Sequence, residues 1–285
     1  MVSSGRERQR TGRNAAWVES GPEFHRAFLD FGELWQYRNL VALLALRDLQ
    51  VRYKQAVFGV AWAVVQPVIG TLTLVVLFHR LAHLSTAGIP YVPFTLVGFA
   101  GWTYFSATVA SMTTSLVRDN ALVTKVYYPR IATPLAAVLT GAVDLAIAIV
   151  LAEIATLATG ITPPLQLVLL PAWLVALGLV TFAFGLPLAT LNVRYRDIGQ
   201  LVPFSTQLLL FITPVAYASS VVPPAWQWRY HVDPMVAVLD GIRWSMLGAP
   251  PPGPSAIVSA GCGAFLLLGG LRYFAANERR FADII

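Results

Sequence analysis

The sequence predicts an all-α membrane protein with six transmembrane helices, an amphipathic interfacial helix before the first and re-entrant helices between the fifth and sixth. Three observations predict it. Hydrophobic residues make up 56% of the 285 and charged residues only 12%, with a mean hydropathy of +0.64, which is too apolar for a water-soluble domain of this length. Six stretches each carry the roughly 20 mostly apolar residues needed to cross a bilayer. Of the 20 basic residues, 17 fall in four short segments separated by long apolar stretches: 1–56, 118–130, 192–198 and the tail from 272. The positive-inside rule puts all four in the cytoplasm, so an even number of crossings separates each from the next and both termini are cytoplasmic.

In chain order, residues 1–30 are rich in Arg, Ser and Gly and lack the apolar core of a cleavable signal peptide; they are expected to be a disordered cytoplasmic segment. Residues 31–285 form the membrane domain. In 31–54, a seven-residue apolar centre (Leu40 to Leu46) lies between Glu33, Gln36 and Arg38 on one side and Arg47, Asp48, Gln50 and Arg52 on the other. That centre is too short to cross, and Trp35 and Tyr37 favour the interface, so an amphipathic helix along the cytoplasmic surface is expected. The spans are expected at 57–84, 92–117, 131–158, 165–191, 199–220 and 255–276. Loops 85–91 and 159–164 are short and nearly uncharged, as outer loops are. The aromatic and proline-rich region from 221 has only one short apolar helix, Pro234 to Leu247, between two cytoplasmic flanks. It therefore dips in from outside and returns over 221–247. Within it Arg229 and Asp233 are four apart and Asp240 and Arg243 three apart, spacings that pair on a helix.

The composition also narrows the chemistry. The net charge of +6 is concentrated in cytoplasmic loops, which suits anionic lipid headgroups better than nucleic acid. Cys262 sits in an apolar run and is expected to pack between helices. His79 and His83 are i, i+4 but have no third ligand, so no metal site is assigned. The only lysines, Lys54 and Lys125, follow Tyr53 and Thr124; a phosphate-cradling Gly-Lys-Ser/Thr is missing, and ATP hydrolysis belongs on a partner. Asp144 and Glu153 lie in one span, nine residues and about 13 Å apart along the axis, on nearly opposite faces. That separation disfavours a paired acid–base site and points to hydrogen bonds with a neighbouring helix or a hydrated channel.

Several stretches, in this order and topology, resemble the ABC-2 type permease subunit of polysaccharide ABC exporters, which handle O-antigens, related capsule or cell-wall glycans and teichoic acids. They are RDLQVRYK at 47–54 with Gly59, Trp62, Gln66 and Pro67; KVYYPR at 125–130 with Pro134; NVRYRD at 192–197 with Pro203; TPVAY at 213–217; DPM at 233–235 with Arg243; and ERRFADII at 278–285. The resemblance covers about 30–285, with Asp233 and Asp240 standing where Asn and Glu are expected. It implies a homodimer in the bacterial cytoplasmic (inner) membrane, two separate ATPase subunits that carry ATP and magnesium, and export of a polyprenyl-diphosphate-linked glycan, with no nucleic-acid partner and no catalytic residue in this chain.

With that resemblance, 118–130 is expected to be a coupling helix that docks on the ATPase through Arg118, Asp119, Leu122, Lys125, Val126 and Tyr127. Trp35, Arg47, Arg52 and Lys54 are candidates for gating access and recognising the lipid diphosphate, since Arg makes bidentate phosphate contacts. Phe58, Trp62, Gln66, Phe99, Trp102 and Ser106 are candidates for a glycan channel with stacking faces. Tyr217, Trp226, Trp228, Tyr230, Arg243 and Trp244 are candidates for the outer gate. Interface anchoring and helix packing are competing roles for the same residue types. Two alternative functions stand beside this one. An ABC-2 exporter of a small hydrophobic compound would have fewer stacking aromatics and no surface helix. An integral membrane glycosyl- or acyltransferase would need an exposed acid pair or a His–Asp couple, whereas the acids outside the spans are scattered singly or lie beside arginine.

Overall fold

The computed structural model describes residues 31–54, 61–84, 86, 88–120, 122, 128–278 and 281, and the regular elements among them are all helical. Tyr37 breaks the surface segment into α1 (Phe31–Gln36) and α2 (Arg38–Lys54). Val41, Leu44 and Ala45 of α2 are buried, yet Leu43, Leu46 and Val51 are exposed. Its apolar residues thus surround the helix instead of forming one stripe, a departure from the amphipathic expectation. The cause is tertiary: one side of α2 packs on the helix after residue 131, where the Thr140 hydroxyl donates to the Ala45 carbonyl at 3.3 Å.

The remaining elements are α3 (Ala61–Leu74), continued by a π-helical stretch Val75–Leu81; α4 (Tyr91–Arg118); α5 (Ala132–Ala158); a 3-10 turn Leu165–Leu169 leading into α6 (Leu170–Arg194); α7 (Ile198–Ile212); α8 (Pro224–Tyr230); α9 (Pro234–Leu247); and α10 (Ala256–Asn277). Four stretches among the described residues are long and apolar enough to cross a membrane: Ala61–Leu81, Ala132–Ala158, Leu165–Arg194 and Ala256–Asn277. Helix α4 has the length, at 28 residues, but carries Gly, Ser and Thr where the others carry Leu and Val. Those small side chains let it run through the centre of the bundle, with Thr95, Gly98, Gly101, Thr108 and Thr113 all buried, the way small residues let membrane helices approach. Several of the hydroxyls bond back within the helix, as Thr113 does to the Val109 carbonyl at 2.7 Å.

Helix α7 ends at Ile212, eight residues before the expected 220. Thr213 precedes Pro214, and a residue before proline is driven out of the helical region; its ψ is 143°. Asp233 fixes that turn to the next element, because one carboxylate oxygen accepts the Thr213 hydroxyl at 2.7 Å and the other caps α9 by accepting the Met235 N–H at 2.9 Å. Pro234 at the first helical position suits that cap. The expected Arg229–Asp233 pair is absent: the helix breaks at His231, and Arg229 stacks over Trp226 and Trp228 at 4.6 and 5.0 Å. Asp240 and Arg243 do pair, at 3.7 Å. Helix α9 is buried along nearly its whole length against α4, α6 and the turn Leu165–Leu169, and it closes on Gly248 at φ 66°, where only glycine sits without strain.

Two apolar clusters hold the bundle. One is built on Val97, Leu177, Leu239, Ile242 and Met246. The other gathers Val41, Leu44, Met112, Leu116, Phe274 and Phe281 at the opposite end, where Glu278 accepts from Arg130. Large apolar side chains face outward on α5 (Val150, Ile154), α6 (Val175, Leu179), α7 (Phe204, Phe211) and α10 (Phe265, Leu268), as on a surface solvated by lipid.

Candidate functional site

Three groups of expected site residues are brought into contact by the fold. The first joins α2 to the end of α4. The Arg47 Nη2 donates to both oxygens of Asp119 at 2.9 Å and to Asp48 at 2.8 Å, and Arg118 donates to Asp48 at 2.7 Å. Two arginines and two aspartates thus alternate across the gap between the surface helix and the start of segment 118–130. The Asp119 carboxylate, ahead of the cost of burial, raises the Arg47 pKa above its ordinary value. Arg47 was expected at a diphosphate; its Nε and Nη2 are engaged with carboxylates. Leu122 is half-buried beyond this network. Lys125, Val126, Tyr127 and Phe58, like residues 1–30 and the end of the tail, lie outside the described residues.

The second group lines a cavity of about 600 Å³ between the end of α2 and helices α3, α4 and α5. Arg52 and Tyr53 both bond to Asp144 at its polar end. Burial, and then the bond to Asp144, push the Tyr53 phenol up to about 12, so it stays a donor. Trp62 and Gln66 stand on the same wall, opposite Thr103, Thr108 and Ser111 of α4; the Thr108 hydroxyl is buried with no partner among the described residues. The rest of the wall is small and apolar, with Ala100, Ala107, Ala137 and Ala148. The other channel candidates are elsewhere. Trp102 is buried and packs on Phe105 at 5.3 Å, Phe99 fills the contact of α4 with Gly70, and Ser106 bonds the Thr103 carbonyl at 3.3 Å. Lys54 is exposed at the end of α2, and Trp35 is exposed beneath Arg38, 5.0 Å away.

The third group is at the far end. The Tyr230 hydroxyl donates to that of Tyr217 at 3.2 Å, and Tyr217 to the Ile212 carbonyl at 2.5 Å. Trp226 and Trp228 are exposed and Trp244 is half-buried. Arg243 is fully buried; it donates to the Val215 carbonyl at 2.6 Å and lies 3.8 Å from the centre of the Phe94 ring. Asp48, Tyr53 and Thr108 complete these groups; none of them had a site role legible in the sequence, although Asp48 and Tyr53 lie within the RDLQVRYK stretch. Asp144 was, as an acid inside a span; its partner was hidden by a separation of 92 residues.

Comparison with known proteins agrees with this architecture. The chain is 25% identical over 252 residues to an O-antigen export system permease protein RfbA of Klebsiella pneumoniae, covering 87% of this chain and 95% of that one. It is 27% identical over 256 residues to the O-antigen export system permease protein RfbA of Myxococcus xanthus, covering 89% and 98%. The family model described as ABC-2 type transporter matches residues 39–247, from the first turn of α2 to the end of α9. The chain therefore belongs to the ABC-2 type transporter family of membrane proteins.

Proposed function

We propose that the chain is the channel-forming permease subunit of a bacterial inner-membrane ABC exporter that moves a polyprenyl-diphosphate-linked polysaccharide of O-antigen type. Two copies form the channel, and two separate ATPase subunits, which hold ATP and magnesium, drive it. The observation that carries this reading is the match over nearly the full length of relatives named as O-antigen export permeases. The 600 Å³ cavity supports it chemically. A lipid-linked glycan needs an apolar wall for its tail and a cation for its diphosphate. The alanine-lined wall below Arg52 offers both, with the arriving phosphate taking the place of Asp144 on the guanidinium.

In this reading α4 and α7 are the second and fifth of six crossings, both termini are cytoplasmic, and α8 and α9 dip in from outside. Segment 118–130, with Lys125, Val126 and Tyr127, receives the motion of the ATPases. The Arg47–Asp119 and Arg118–Asp48 bonds pass it to α2, which opens the way to the cavity. Tyr217, Tyr230, Trp226 and Trp228 close the outer end.

The test is depletion of this protein in its host, followed by fractionation of polyprenol-linked glycan by leaflet and of surface glycan. Finished polymer held on the cytoplasmic leaflet and lost from the surface is expected. Unchanged surface glycan would move the cargo to a small hydrophobic compound, and loss of polymer from both leaflets would favour an enzyme.

A further inference from the structure

Beside the outer gate lies a second, smaller cavity of about 190 Å³, enclosed by α9, the turn Ser219–Val221 and the proline run after Gly248. Its wall is unusually polar for a site this close to the core. Arg243 lines it, 1% exposed, with its Nε and Nη1 making no hydrogen bond among the described residues. A buried guanidinium with unmet donors is costly, and such a group calls for a partner. The acceptors are equally placed. Asp240 stands 3.7 Å from Nη1 and already accepts the Ser219 hydroxyl at 2.6 Å, leaving lone pairs free. Gln227 and Ser220 add groups that both donate and accept, and Phe94 and Pro250 supply flat apolar faces.

This mixture selects a class of ligand. A bare anion is disfavoured because Asp240 neutralises the arginine and repels a second negative charge. An apolar molecule would leave the donors of Arg243 unmet. A ligand with several hydroxyls, each able to donate and accept, and one apolar ring face satisfies every wall. The volume accommodates one such ring. From this we propose that the cavity is a subsite for a single pyranose residue, set beside the exit and apart from the 600 Å³ cavity. The choice of a sugar over another polyol rests on the exporter reading; the polyhydroxyl chemistry rests on the wall alone.

The test uses the full chain in lipid nanodiscs, titrated with methyl glycosides of glucose, galactose, mannose, rhamnose and N-acetylglucosamine, with myo-inositol and inorganic phosphate alongside, by saturation-transfer NMR. At least one pyranoside is expected to bind, and Asp240→Asn is expected to weaken it by about tenfold, the scale of one lost charge-assisted bond. Should Asp240→Asn fail to fold, Ser220→Trp blocks the cavity from its exposed rim and is expected to abolish binding. Val150→Ala, on the outward face of α5 and away from both cavities, is expected to leave it unchanged. Absence of binding by every pyranoside, binding that survives both variants, or phosphate or inositol binding in place of the sugars would overturn the proposal. Depletion reads export separately. If it leaves surface glycan unchanged while pyranoside binding still needs Asp240, the exporter reading has failed and the subsite stands.

Discussion

Arg243 is buried, with a carbonyl on one nitrogen, a ring beneath it and Asp240 at the edge of bonding distance. Removing one member of a buried charged group leaves the other without a partner, which costs more than the group contributes intact. Arg243→Met is therefore expected to lower stability by about 3 kcal/mol, read as a fall in the thermal unfolding midpoint in detergent, and adding Asp240→Asn to it should recover part of the loss. Gly98 reports on the same spot from α4. A methyl group there would overlap both the Arg243 guanidinium and the Val215 carbonyl, so Gly98→Ala is expected to cost about 2 kcal/mol, the usual scale for overfilling a packed site. Spacing alone revealed the Asp240–Arg243 pair, because three residues on one helix are neighbours. It missed what Asp233 does, since capping joins the carboxylate to a turn 20 residues earlier.

At the scale of elements, the alternating network between α2 and α4 is the mechanical question. Its arginines are 41% and 45% exposed, so the pairs contribute no more than about 1 kcal/mol to stability. Their effect is expected in transport. Asp119→Asn should leave the unfolding midpoint and the partner ATPase turnover nearly unchanged while export falls severalfold, measured as surface glycan per ATP hydrolysed. Exchanging the charges, Arg47→Asp with Asp119→Arg, puts two acids on α2 opposite two bases at the end of α4 and should restore part of the export. Equal loss of both activities in Asp119→Asn would mean that the network only positions the ATPase. The helices themselves were legible as apolar runs between charged segments, and α4 was legible as the span that carries Phe99, Trp102 and Ser106. Which side of α4 faces the core was not. Lipid, core and channel all accept Trp and Phe, so Trp102 and Trp62 read alike in one dimension and separate only when packing buries the first and leaves the second on a cavity.

For the whole molecule, topology is open to direct measurement because Cys262 is the single cysteine. In a Cys262→Ala background, Thr159→Cys and Ser220→Cys are expected to react with an impermeant maleimide from outside intact cells, and Arg194→Cys only after permeabilisation. Labelling of all three from one side would rule out six crossings. The basic residues and the helix order carry this expectation, whereas contacts such as Arg47–Asp119, separated by 72 residues, exist only once the bundle has closed. That closure has a direction in time. Val41 and Leu44, near the start of the described chain, share a cluster with Phe274 and Phe281, near its end. The cluster that holds Val41 and Leu44 therefore stays incomplete through the synthesis of more than 200 further residues. Packing at this end of the bundle is in this way tied to synthesis of α10 and Phe281, and a chain cut short before Phe274 leaves the cluster without two of its aromatic members.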